Sequence, residues 1–173
     1  MNALSIYEKY EQYWAILRNN QEMIRFSEVK AGLVISIFGI LFSIILNSVG
    51  KIQASVAEWT VVQMGILFVF IVTTLISMLY AFRCFIPRFE NKNPTSVIYF
   101  GDIVSDFTEY KAYHAFLEKI VIDDAEMSVQ LAEQIHTNST IATRKMKAVN
   151  TAMRMMMVSV ALLIILVGFL LMT

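Results

Sequence analysis

The side chains best equipped for chemistry gather in one short stretch, where His136, Asn138, Ser139, Thr143, Arg144, Lys145 and Lys147 fall close together. Arg and Lys pair with phosphate or carboxylate, and amides and hydroxyls add neutral donors. The chemistry on offer is therefore anion or nucleotide binding. Spacing alone favours a plainer reading, a solvated helix face that also carries positive charge near a membrane. Asn138 and Lys145 are seven positions apart, so both fall on the helix face that carries Leu131, Ala142 and Val149. Polar groups on an apolar seam are costly unless something pairs with them. Tyr99, Phe100 or Tyr110 would offer a flat apolar wall for a base.

Other chemistries find little to work with. There is no Gly-rich phosphate loop, nucleophile elbow, HExxH pair or facing pair of carboxylates. His114 stands alone on an apolar seam, with no Cys, His or carboxylate set at metal-ligand spacing, and is expected to be a satisfied core residue. The expectation is a protein that is not an enzyme and takes neither metal nor cofactor. Cys84 is the only cysteine, which excludes an intrachain disulfide, and it is expected to be an inert, half-buried thiol.

The elements that position these residues follow from composition. Hydrophobic residues make up 57% of the 173 and charged residues 16%, against about a quarter charged in an ordinary soluble domain. The apolar excess is concentrated in three uncharged runs, 31–50, 59–82 and 155–173. Each is close to the roughly 20 residues a helix needs to cross the hydrocarbon core, and in lipid a helix satisfies its own backbone hydrogen bonds. Some 30 residues including Glu8, Glu11, Glu22 and Glu28 precede the first run, which disfavours a signal peptide. The expected fold is an all-α integral membrane protein with three transmembrane helices and a cytoplasmic helical hairpin. It divides into an amphipathic cytoplasmic helix (1–30), a transmembrane hairpin (31–84), a cytoplasmic helical domain (85–154) and a third transmembrane helix (155–173). Thirteen Lys and Arg flank the spans on one side, and only Lys51 lies on the other. The positive-inside tendency then places the N-terminus in the cytoplasm and Thr173 outside. Zero net charge argues against a nucleic-acid polymer as partner.

Periodicity fills in the soluble parts. Tyr7, Tyr10, Trp14, Leu17 and Ile24 mark a packing stripe on a helix over 4–29 that runs into the first span. Pro87 and Pro94 bracket a loop, and Asp102 is a good N-cap for the helix that follows. Ile103, Phe107, Tyr110, His114, Leu117 and Val121 form a heptad-like seam on that helix. Asp123 and Glu126 resemble a capping box. Beyond it no Pro or Gly interrupts the chain until Gly168, so one helix is expected from about 125 through the third span.

The spans differ in their polar content. Gly32, Ser36, Gly39, Ser43, Asn47 and Gly50 line one face of the first, where small residues allow close helix approach. Helix packing is the favoured role of that face, and lining a polar path in an assembly is the sharper one. Thr73, Thr74, Ser77, Ala81 and Cys84 offer a matching face on the second span. The third has little that is polar besides Ser159 and is assigned to lipid or purely apolar contact. A chain this short needs several copies to enclose a pore, so a homo-oligomer is expected.

Four segments together resemble the Pycsar effector transmembrane family. They are Glu28-x-Lys30-Ala31-Gly32, the Pro87 loop, Tyr99-Phe100-Gly101-Asp102, and Gln134-Ile135-His136-x-Asn138-Ser139-x-Ile141-Ala142-x-x-Lys145. The resemblance covers the chain from about Trp14 to the third span. It implies a bacterial antiphage effector of the inner membrane. A partner cyclase would supply a cyclic nucleotide, cyclic CMP or cyclic UMP, and the effector would then disrupt the membrane and arrest growth. Under that reading Asn138, Arg144, Lys145, His136 and Tyr99 are candidates for binding the messenger. Gly32, Ser36, Gly39, Ser43, Asn47, Thr74 and Ser77 are candidates for the pore or packing face. The competing reading is a ligand-independent membrane scaffold or a subunit of a larger complex.

Overall fold

The computed structural model describes residues 6–48, 59–86 and 96–172, and among these every regular element is a helix. The helices are α1 (Ile6–Asn47), α2 (Val61–Phe85), α3 (Phe100–Asp106), α4 (Tyr110–Ile122) and α5 (Asp124–Met172). Three of them, α1, α2 and α5, are long and apolar enough to cross a membrane. The amphipathic stretch expected at the N-terminus and the first span form one 42-residue helix, and α5 is a single 49-residue helix, about 74 Å long at 1.5 Å per residue. Gly50, Lys51, the Pro87–Pro94 loop and Thr173, all used in reading the sequence, lie outside the described residues.

The chain divides into two compact units, and α1 and α5 each contribute to both. The helical unit comprises 6–24 and 96–143 of the described residues. On its part of α1 the inward residues are Tyr10, Tyr13, Leu17, Asn20 and Ile24, which alternate in steps of three and four. Tyr7 and Trp14, expected on this stripe, face outward. Tyr10, Leu17 and Ile24 of the expected stripe do turn inward, and Tyr13 and Asn20 take the places between them. On α5 the inward residues here are Asp124, Ser128, Leu131, Ile135, Asn138 and Ala142, the same alternation that brings coiled-coil seams together.

The expected helix from Asp102 to Val121 is two helices. Phe100 opens α3, so Asp102 lies inside its first turn, where its carboxylate accepts from the backbone N–H of Ser96 (3.2 Å). The hydroxyl of Ser96 in turn accepts from Ile98 N and Tyr99 N (both 3.2 Å). Three residues then separate α3 from α4, and the interruption resets the helical phase. Tyr113, Phe116, Leu117 and Ile120 turn toward the packed side of α4, while Tyr110, His114 and Val121 are exposed. His114 is thus a surface residue rather than a core one. Phe107, in the break, packs against Tyr113 and Phe116, with ring centroids 5.6 and 5.3 Å apart. The turn into α5 forms as expected, since Asp123 Oδ1 accepts from Ala125 N (3.0 Å) and Glu126 N (3.2 Å).

The membrane unit comprises 25–48, 59–86 and 144–172 of the described residues. Thr60 and Gln63 form a capping box at the start of α2. The core joins Ala31, Val34 and Phe38 of α1, Ala81 and Cys84 of α2, and Val149 and Ala152 of α5. Four of these seven are Ala or Cys, which lets backbones approach where lipid supplies no hydrophobic drive for helix association. Met78, Met146, Met153 and Met156 fill in around this contact, as unbranched, adaptable side chains do. Cys84 is fully buried here, not half-buried.

Candidate functional site

Both units carry interhelical polar contacts. In the helical unit, Lys9 Nζ pairs with Asp124 Oδ2 (2.9 Å), and the Tyr10 hydroxyl donates to Asp124 Oδ1 (2.6 Å). These bonds hold the Asp124 carboxyl below its ordinary pKa, the Tyr10 bond contributing most and the Lys9 bond next. The bond to Asp124 in turn raises the Lys9 ammonium and the Tyr10 phenol. About three turns further along α1, Asn20 Nδ2 donates to Ser139 Oγ (2.7 Å) and to Ile135 O (3.3 Å). The chain before α3 is pinned at Val97, whose N–H donates to the buried Gln130 Oε1 (2.9 Å). Tyr113 donates to the carbonyl of the same residue (3.1 Å).

The messenger candidates of this unit sit in different settings. Asn138 is buried and accepts from Gln134 Nε2 (3.3 Å), so a protein partner already meets its amide oxygen. His136 is exposed. The Tyr99 ring lies against Phe100, centroids 4.9 Å apart. It also covers Gly101, where an added Cβ would meet the ring at 2.5 Å. That close approach accounts for glycine in the Tyr-Phe-Gly-Asp motif.

In the membrane unit, Lys145 Nζ lies 2.5 Å from Glu28 Oε1 and donates to the Cys84 carbonyl at 2.7 Å. Three helices therefore meet on one ammonium group. The Cys84 carbonyl is among the last four of α2, which have no partner within their own helix. Arg144, beside it, is exposed and has an interaction of its own. Deeper in the unit, Ser77 Oγ donates to Ala152 O (2.7 Å), and the hydroxyls of Thr74 and Ser159 share a hydrogen bond. The polar face of α2 is thus spent inside the single chain, against α5. Ser159 is buried, so α5 is not the purely lipid-facing or apolar span expected of it. Sequence reading missed both the Ser159 contact and Glu28 as the partner of Lys145. A periodic match between polar residues on two apolar helices would have pointed to the first.

The small-residue face of α1 is differently placed. Gly32 is half-covered, a Cβ there meeting Phe85 at 3.9 Å, while Ser36, Gly39, Ser43 and Asn47 face outward. Nothing lies within 4 Å of a Cβ built on Gly39. Among the described residues no cluster of His, Cys, Asp or Glu is suited to a metal.

Fold and composition define an all-α membrane protein that joins membrane-spanning helices to a helical unit rich in interhelical polar contacts. Residues 12–172 match the family described as the Pycsar effector protein domain, and the chain belongs to that family. A curated relative, the Pycsar effector protein PtPycTM of Propioniciclava tarda, is 25% identical over 136 residues. That match covers 76% of this chain and 65% of the relative, so the chain spans just under two thirds of the relative's length. No solved structure matches the chain.

Proposed function

We propose that the chain is an antiphage defence effector of the bacterial inner membrane, gated by a cyclic nucleotide such as cyclic CMP or cyclic UMP. A partner cyclase supplies the signal, and the effector responds by opening or assembling so that the membrane loses integrity and growth stops. Family membership supports the effector role. The observation that carries the membrane step is the outward face of Ser36, Gly39, Ser43 and Asn47 on α1. Polar and small groups directed at hydrocarbon favour close packing against another helix, and the chain's own spans leave that face uncovered. A second copy of the chain covers it in a homo-oligomer. The protein acts without catalysis, and the Lys/Arg asymmetry orients it with the N-terminus inside and the C-terminus outside.

Messenger recognition is assigned to the helical unit, with Asn138, His136 and Tyr99 as the residues to substitute first. A cyclic nucleotide needs amide or imidazole donors and an aromatic surface, and these three supply such groups. Lys145 and Arg144, candidates from the sequence, belong to the membrane unit, where Lys145 already has two partners.

The test records membrane potential in cells expressing the chain with and without the cyclase. Loss of potential only when both are present supports the proposal. A potential unaffected in either case restores the scaffold reading. A Cβ at Gly39 has open space around it among the described residues, so Gly39→Leu is expected to insert normally and to abolish the loss of potential by blocking assembly.

A further inference from the structure

We propose that Lys145 is the latch that holds the membrane unit in its resting form, and that activation requires its separation from Glu28. The Lys145 side chain is 11% exposed and that of Glu28 is 39% exposed. The cation is therefore the buried member, and the carboxylate is the arm that water reaches. Lys145 lies on the packing seam of α5, between Ala142 and Val149, and Glu28 follows the fully buried Ser27 of α1. The second bond of the ammonium, to the Cys84 carbonyl, anchors the end of α2 to the same point. One side chain thus ties α1, α2 and α5 together, next to the start of the first apolar run and the end of the second, and ten residues before the third.

The arrangement has the energetics of a latch. A buried charge that loses its partner is strongly unfavourable, whereas the intact pair contributes little net stability because both ions were desolvated to form it. The closed form is consequently specified by the pair, and breaking the pair favours any arrangement in which water reaches Lys145. Six of the seven surrounding core residues are Val or smaller, Phe38 being the exception, and the methionines around them are adaptable side chains.

The chain carries its own reporter. Cys84, the only cysteine, is fully buried, and its Sγ lies 3.9 Å from the Lys145 carbonyl. The experiment uses the full-length protein in inverted membrane vesicles and follows its labelling by a water-soluble maleimide, alongside growth of cells that lack the cyclase. Wild type is expected to label slowly and to leave growth unaffected. Glu28→Gln strands the buried ammonium, and Lys145→Met removes the group that ties Glu28 and the Cys84 carbonyl to α5, so each is expected to label roughly tenfold faster or more and to arrest growth without the cyclase. Lys145→Arg, which keeps a cation with several donors, is expected to stay close to wild type. The first two variants change the local charge in opposite senses, so electrostatic tuning of the thiol would speed one and slow the other. Acceleration in both reports exposure.

The growth readout rests on the proposed effector function, whereas the labelling readout does not. If wild type with the cyclase arrests growth but the two variants insert at wild-type levels and label as slowly as wild type, the latch is overturned and the effector reading stands. Fast labelling without arrest, in cells where wild type plus cyclase does arrest, also overturns the latch, leaving Lys145 as a packing contact. If wild type with the cyclase causes no arrest, the effector reading is the one that fails.

Discussion

The helical and membrane units use the same alternation of three- and four-residue steps on α1 and α5, yet fill it with different side chains. In the helical unit the seam of α1 runs Tyr10, Tyr13, Leu17, Asn20 and Ile24, and interhelical side-chain bonds recur along it. In the membrane unit the same helix continues with Ser27, Ala31, Val34 and Phe38, all fully buried or nearly so. The solvent accounts for the difference. Water drives apolar surfaces together, so large residues can form the seam and polar groups are cheap at its edge. Lipid offers no such drive, so close approach of small residues and a few internal hydrogen bonds must hold the helices. Among the described residues of the membrane unit, the polar contacts between helices include Thr74 with Ser159, Ser77 with the Ala152 carbonyl, and Lys145 with Glu28 and the Cys84 carbonyl.

Substitutions that respect one solvent and offend the other sharpen this contrast. The largest loss of stability is expected for Leu131→Ala, which empties a fully buried position of the helical unit at a cost of about 3 kcal/mol. Thermal unfolding in detergent should show it, while the fraction of protein in the membrane stays at the wild-type level. Next comes Ala152→Leu, which overfills the membrane core at a cost of about 2 kcal/mol. A gain in stability from the larger apolar residue would mean that the membrane unit packs like a water-soluble core, and the contrast would fall. Asn20→Ala removes the bonds to Ser139 and Ile135 O and is expected to cost about 1 kcal/mol. It should lower the melting temperature by less than either core change.

The smallest effect concerns pH. Asp124 has a lowered pKa in the folded protein, so its contribution is present above the ordinary carboxylate range and is lost as pH falls through the folded value. Lys9 and Tyr10 are raised, so theirs are present below their ordinary values and are lost as pH rises through the folded ones. Thermal stability should therefore be flat with respect to these groups between roughly pH 5 and 9. Because the Lys9–Asp124 pair is open to solvent, Asp124→Asn should change the melting temperature only slightly within that window. A marked dependence near neutrality that Asp124→Asn abolishes would contradict this assignment.

The sequence made the spans and the continuity of the long helices legible, because uncharged runs and the lack of Pro or Gly are properties of the chain alone. It was less informative about which face turns inward. The first span carries two interleaved repeats of similar period, Gly32, Ser36, Gly39 and Ser43 on one and Ala31, Val34 and Phe38 on the other. Periodicity cannot rank two seams on one helix, and it is the second that packs within the chain. The seam drawn from Ile103 to Val121 failed for a local reason. Residues 107–109 leave the helix with no Pro or Gly to signal it, so positions counted across the break lost their phase and His114 came out on the wrong side. Lys145 was recognised as a polar residue that needed a partner, but the partner is Glu28, 117 positions away. Such a pairing becomes visible only when α1 and α5 are side by side.

The proposed conversion of a cyclic nucleotide signal into a membrane lesion is tested most directly with purified protein in sealed vesicles. Full-length chain is reconstituted into vesicles loaded with a self-quenched dye, and release is followed on adding cyclic CMP, cyclic UMP or a cyclic dinucleotide. The account predicts that cyclic CMP or cyclic UMP triggers release by the wild type, and that neither does so with Gly39→Leu. Inserted wild-type protein that leaves the vesicles sealed with every one of these nucleotides would contradict it.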